Sequence, residues 1–198
     1  MSDDKNEIAY YPEICKKMGR YLDDALGGLN RFSSSQNKLL SLMIAEIHKN
    51  LGVSNSGIFY PPLKTDITFG IEFPNGYISP MLLEVKRGRT LSLIDYSQLI
   101  GYLQVAKHIK VGLLMLVNEG TDASQLSSDF KHLIDIQQLN FDWNMTDKVT
   151  GEINVFRTGI CVYTPGNGID WINSKSSNGI SDWETLIKCL KPDISNVV

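Results

Sequence analysis

The stretch KTDITFGIEFPNGYISPMLLEVKRG, residues 64–88, constrains the fold more than any other part of the chain. Two runs of alternating apolar residues flank FPNGY, which is the pattern of a β-hairpin. Pro74 and Asn75 suit the centre of a type I turn, and Gly76 suits the left-handed position that follows. A three-residue loop of this kind pairs Phe73 with Tyr77 and sets Asp66 directly opposite Glu84, on one face of the sheet. Ile67, Phe69, Ile71 and Phe73 then share the other face with Met81, Leu83 and Val85. A two-residue Asn-Gly loop would slip the register by one and send the two acids to opposite faces. Pro80 counts against a regular central strand, because proline inside a strand often marks a bulge or an edge.

Two carboxylates facing each other across a hairpin repel, by up to about 1 kcal/mol at exposed positions. Something should compensate them. Lys86 follows Glu84 on the same face and can neutralise one charge, while a divalent cation can bridge both. Mg²⁺ takes hard oxygen ligands and keeps several waters, so Asp66, Glu84 and the backbone carbonyl of Val85 form a suitable donor set, with Mn²⁺ as a substitute. Lys86 would then orient a water or stabilise charge on a scissile phosphate. The plainer reading is a solvated strand face carrying a surface ion pair, worth about 0–1 kcal/mol.

The next segment adds to the pattern. Arg87 and Arg89 concentrate cations beside the acids, and Lys107 is a third candidate for phosphate-backbone contact. SLIDYSQLIGYLQVAKHI switches to helical period, with Asp95, Gln98 and Tyr102 on one stripe and Leu99, Leu103 and Ala106 on a packing stripe. A Gln and a Tyr one turn apart are otherwise an ordinary boundary pair.

Elsewhere, NEIAYYPEICKKMGRYLDDAL reads as a helix with Pro12 in its first turn, where a missing N–H costs little. GGLNRFSSSQNK reads as a loop leading to a helix N-cap, followed by a helix through KLLSLMIAEIHKNLG that stops at Gly52. KVGLLMLVNEG is a strand apolar on both sides, DASQLSSDFKHLIDIQQL a helix, TGICVYTPGNG a late strand and turn, and SDWETLIKCLK a short helix docking by Trp183, Leu186, Ile187 and Leu190. This order implies an α/β domain built on a central mixed β-sheet flanked by helices.

At 198 residues, with 42% hydrophobic and 21% charged, the chain suits one soluble domain that buries roughly 70% of its unfolded surface. A net charge of −3 offers no global basic field, so any phosphate-binding surface is local. Cys15, Cys161 and Cys189 are too scattered for a zinc motif and read as buried free thiols. His48, His108 and His132 lack ligand spacing, and no Gly-rich phosphate loop or Gly-x-Ser-x-Gly elbow is present. The acidic N-terminus has no apolar signal-peptide core and no run approaches a membrane span, which favours the cytoplasm.

Asp66, the EVK of Glu84 to Lys86, and the QLIGY of Gln98 to Tyr102 together resemble the PD-(D/E)XK, or restriction-endonuclease-like, nuclease superfamily. QLIGY is similar to the Gln-x-x-x-Tyr motif of its RecB-type branch. The resemblance implies a restriction-endonuclease-like core of order αβββαβ, over about residues 7–118, with C-terminal additions over about 119–198. It implies a Mg²⁺-dependent nuclease, acting on DNA ahead of RNA, in which Asp66 and Glu84 bind the ion and Lys86 assists water activation. Gln98 and Tyr102 would position the site and the nucleic-acid backbone. EIAYYP also resembles an N-terminal Glu-x-x-x-Tyr-Pro opening whose Glu, here Glu7, can approach the metal. Glu46 competes with it as an extra carboxylate, and an exposed helix-start glutamate is the plainer reading of Glu7. Thr65, where the pattern has Pro, is a departure. Cutting both strands of a duplex would favour a homodimer. The alternative is a catalytically inactive module of the same fold that binds nucleic acid or a protein partner.

Overall fold

Seven consecutive buried residues, Val111–Val117, form the central strand around which the protein is assembled. Val111, Leu113, Met115 and Val117 point into one apolar core, while Leu114 and Leu116 point into a second. A strand buried on both faces requires helices on both sides of its sheet. The computed structural model that shows this describes residues 7–28, 31–54, 57–88, 90–120, 125–148, 150–172 and 178–192.

A 3-10 turn at Glu7–Tyr10 leads into α1 (Tyr11–Leu26), then β1 (Arg31–Leu39), α2 (Leu40–Leu51), β2 (Lys64–Glu72) and β3 (Ile78–Arg87). After these come α3 (Leu93–Val105), β4 (Val111–Val117), α4 (Ser128–Asp135), β5 (Asp142–Thr146), β6 (Ile153–Thr164), β7 (Gly168–Trp171) and α5 (Trp183–Leu190). The seven strands form one mixed sheet of order β1-β2-β3-β4-β6-β5, with β7 also on β6. β3, β4 and β6 are mutually parallel, and the remaining pairings are antiparallel. Helices α1 and α5 cover one face; α2, α3 and α4 cover the other. α3 lies close on the sheet because Gly112 has no side chain, and a Cβ there would meet Leu103 Cδ1 at 2.8 Å. Residues 119–198 supply β5, β6, β7 and α5 to this same sheet and its cores. Among the described residues no helix is long and apolar enough to cross a membrane.

The hairpin takes the three-residue loop. Phe73 N–H donates to the Tyr77 carbonyl at 2.9 Å, Gly76 N–H donates to Phe73 at 2.8 Å, and Gly76 sits at φ 78°. Every pair from Glu72↔Ile78 to Ile67↔Leu83 follows the register that sets Asp66 opposite Glu84. Pro80 is accommodated without a bulge. Its backbone edge faces the β4 side, where pairing begins only at Met81↔Val111, so no ladder bond is lost.

Several expectations are corrected. Residues 31–38, read as part of a loop, form with Leu39 the edge strand β1 along β2. Serine and asparagine have low strand propensity, but here α2 satisfies them: Ser35 Oγ donates to Glu46 at 2.7 Å and Asn50 donates to Ser33 Oγ at 3.0 Å. The helix that follows starts at Leu40 with Leu39 at its N-cap and no side-chain capping bond. The face of the hairpin carrying Thr68, Gly70 and Leu82 is covered by α2 and α3 as a second core, so only its end is open to acids and solvent. The short strand Asp142–Thr146 had no counterpart in the sequence reading. The C-terminal helix docks through Leu186, Ile187 and Leu190, and Trp183 stacks on Tyr21 at 4.5 Å. Cys15, Cys161 and Cys189 are free thiols.

Candidate active site

Asp66 lies where the ladder fails on both sides. Pairing of β2 with β3 ends at Ile67↔Leu83, one step before Asp66 and Glu84. Pairing with β1 skips the position opposite Asp66, which is Asn37, a non-glycine residue at φ 53°. Thr65 Oγ1 and Thr68 Oγ1 both reach Met43 Sδ, at 3.3 and 3.8 Å. Residues three apart in a regular strand point to opposite faces. The backbone therefore turns over at Asp66 and presents its carboxylate at the strand end. Left-handed backbone costs a β-branched residue roughly 1–2 kcal/mol, whereas glycine adopts it freely. Asn37→Val should lower unfolding stability by about that amount in urea melts, and Asn37→Gly should leave it within about 0.5 kcal/mol.

The released carboxylate finds new partners. Val85 N–H, which the ladder would have used, donates to Asp66 Oδ2 at 2.8 Å. The N–H and C=O of one strand residue point to the same neighbour. The Val85 carbonyl is therefore turned to the side on which Asp66 lies. Glu84 is 3% exposed, and in the hairpin register it stands one step beyond Ile67↔Leu83, beside Asp66. Burial first, and the Asp66 charge second, push the Glu84 carboxyl up to about 7. Ionising Glu84 beside the Asp66 charge is costly, and a proton on Glu84 or a bound cation relieves that cost.

Lys86 Nζ donates to Glu84 Oε1 at 2.8 Å and to Gln98 Oε1 at 3.1 Å, and Gln98 Nε2 donates to the Tyr102 hydroxyl at 2.7 Å. Burial alone would pull the Lys86 ammonium down, but Glu84, Asp66 and Glu7 together hold it above its ordinary value. The two members of this ion pair thus shift the same way. One ammonium faces several acids, so it is firmly held as a cation while the buried Glu84 still experiences the Asp66 charge. The order Glu84, Lys86, Gln98, Tyr102 is a continuous hydrogen-bonded line from β3 to α3.

Glu7 joins this group. Burial, then the Asp66 charge, raises its carboxyl, while Lys86 and the Arg87 backbone N–H act the other way. Glu46 does not join it; it pairs with Lys38 and Ser35 on α2 and β1. Asp95, expected on the stripe with Gln98 and Tyr102, instead closes a capping box with Ser92 at the start of α3. The Arg87 guanidinium donates to Glu119 Oε2 at 3.2 and 2.9 Å, and the Tyr10 hydroxyl donates to Glu119 Oε1. Lys107 meets Asp147 at 3.5 Å, and Arg89 lies outside the described residues. The tryptophan rings are packed internally, Trp143 on Phe156 and Trp171 on Trp183. Tyr10 and Glu119 were not read as site residues from the sequence.

The donor set is hard oxygen throughout: two carboxylates, a backbone carbonyl, and Glu7 nearby. Among the described residues no three His, Cys, Asp or Glu side chains are grouped as a ready metal-ligand set. Two carboxylates plus a carbonyl would leave the rest of an octahedral shell to water, which suits Mg²⁺ better than a softer ion. The cluster sits at the carboxyl end of the parallel strand β3, the end of an open α/β sheet at which ligands bind. No protein-family model matches the chain, and no curated protein matches it.

Proposed function

We propose that the protein is a Mg²⁺-dependent nuclease that hydrolyses phosphodiester bonds, in DNA ahead of RNA, within the PD-(D/E)XK superfamily. One observation carries the reading: the Asp66 and Glu84 carboxylates converge at a strand end with Lys86 bonded to one of them. The order α1-β1-β2-β3-α3-β4, with α2 set between β1 and β2, agrees with the core order of that superfamily.

Asp66, Glu84 and the Val85 carbonyl would hold the ion, with Glu7 as a further oxygen beside them. The ion, when bound, supplies Lewis-acid stabilisation of charge on the phosphoryl oxygens. Lys86, firmly cationic, orients the attacking water and offsets charge that develops on the phosphate. Gln98 holds the Lys86 ammonium in place and is itself held by Tyr102, so the α3 pair fixes the direction of the amine. Arg87, Arg89 and Lys107 are the proposed backbone contacts. The pairing of Arg87 with Glu119 and of Lys107 with Asp147 offsets positive charge that a phosphate backbone would use, which fits a second reading, a catalytically inactive module that binds a protein partner.

Plasmid and single-stranded DNA incubated with Mg²⁺ or Mn²⁺ separate the two. The nuclease reading expects metal-dependent cleavage, abolished by EDTA and by the triple change Asp66→Ala, Glu84→Ala, Lys86→Ala. Cleavage that survives the triple change would remove the site; binding without cleavage would leave the module.

A further inference from the structure

We infer that a cleft at the opposite end of the sheet from Glu84 and Lys86 is a second binding site, taking a small, multiply charged phosphate compound of nucleotide size. The cleft has a volume of about 650 Å³, within the range of small-molecule sites. It is lined at the amino ends of the parallel strands, by Pro80 of β3, Val111 of β4 and Val155 of β6, and by the last turn of α5. From Ser79, which lines it, to Val85 is about 20 Å of extended strand, so this cleft is separate from the proposed metal site.

Charge identifies the ligand. The protein carries a net charge of −3, yet Lys110, Arg157, Lys188 and Lys191 line this cleft against one carboxylate, Glu152. Lys188 pairs with Glu184 at 2.7 Å and Lys110 with Glu152 at 3.7 Å. Those carboxylates are 81% and 63% exposed, and exposed pairs of this kind are weak. Lys188 and Lys191 also suit the C-terminal end of α5, where the helix dipole favours cations. Arg157 has neither account. It is partly buried, and Asp142, directly opposite it on β5, makes no ion pair with it. Among the described residues neither Arg157 nor Lys191 has an ion-pair partner. A guanidinium on the lining of a cleft and without a carboxylate is the group best suited to a phosphate, whose oxygens accept two parallel N–H bonds. Further phosphates on the same ligand then meet the surrounding lysines.

The full-length protein is titrated in EDTA with tripolyphosphate and with ATP at constant ionic strength, followed by calorimetry and by melting temperature. EDTA removes the cation, so the outcome does not depend on the nuclease reading. Both probes should bind and raise the melting temperature, with inorganic phosphate at least about 10-fold weaker. Arg157→Gln should weaken both probes at least about 10-fold, as should Lys188→Glu combined with Lys191→Glu, while Lys86→Ala should leave them unmoved. The two lysines are exposed at the end of α5, so their changes test the site even where Arg157→Gln lowers stability. ATP tighter than tripolyphosphate adds a ring contact within the cleft; equal affinities confine recognition to the phosphates. No binding of either probe, binding that survives both sets of cleft changes, or binding lost in Lys86→Ala would overturn the inference. An oligonucleotide that binds while both small probes do not would overturn it too, making the cleft a nucleic-acid contact.

Discussion

Lys86→Ala should lower kcat for DNA cleavage by at least about 10³-fold while leaving Mn²⁺ binding in place. A positioned group acting on the transition state contributes roughly 10²–10⁴-fold, and Lys86 has two such tasks, orienting the water and offsetting phosphate charge. It is not a proposed ligand, so the cation site should survive its loss. Without the ammonium, Glu84 keeps its buried position and its Asp66 neighbour but loses its ion pair, which raises its carboxyl further. The Mn²⁺ titration should therefore weaken slightly at pH 7 and recover at pH 8. Lys86→Arg is not a conservative rescue, because the planar fork cannot occupy the place of a compact ammonium held between Glu84 and Gln98. The decisive measurement is single-turnover cleavage at saturating Mn²⁺. Wild-type rates in Lys86→Ala would leave Asp66 and Glu84 as a cation site without the proposed chemistry.

The sequence made the hairpin legible because its information is local. FPNGY selects one turn, the turn selects one register, and the register alone brings residues 66 and 84 together. The α3 pair is legible for the same reason, since Gln98 and Tyr102 are one helical turn apart and bond each other directly. β4 announces itself by seven apolar residues in a row. What escaped depends on contacts between distant positions. β1 is built from serines and asparagine that form a strand only because β2 offers an edge and α2 offers partners. β5 is five residues long, and its apolar side chains Trp143 and Met145 pack only once β6 is in place. Asp95 shared the stripe with Gln98, but the Ser92-x-x-Asp95 spacing is a capping signature and the structure uses it as one. The kink that releases Asp66 is silent in the sequence, since Asn37 at positive φ resembles any other asparagine of a polar stretch.

Glu84→Gln should raise the melting temperature of the metal-free protein at pH 8 and abolish its stabilisation by Mn²⁺. The Glu84 carboxyl stands at about 7 in the folded protein against an ordinary value of 4.5, through burial and then the Asp66 charge. Folding therefore binds a proton, and the stability this contributes is complete below the ordinary value and is lost as pH rises through about 7. At pH 8 the wild type carries a buried carboxylate beside another, at a cost on the order of 3 kcal/mol, or several degrees of melting temperature for a chain of this size. Gln at position 84 removes that charge, keeps an acceptor for Lys86, and makes this part of the melting profile flat between pH 6 and pH 8. A cation acts on the same residue in the opposite sense. It must displace the Glu84 proton to be held, so Mn²⁺ stabilisation of the wild type should grow about 10-fold in apparent affinity from pH 6 to pH 8 and flatten above that. Equal metal-free melting temperatures for wild type and Glu84→Gln across this range would mean that the two acids do not crowd one another. Mn²⁺ stabilisation that persists in Glu84→Gln would place the ion elsewhere, since an amide oxygen without charge cannot replace half of a two-carboxylate site.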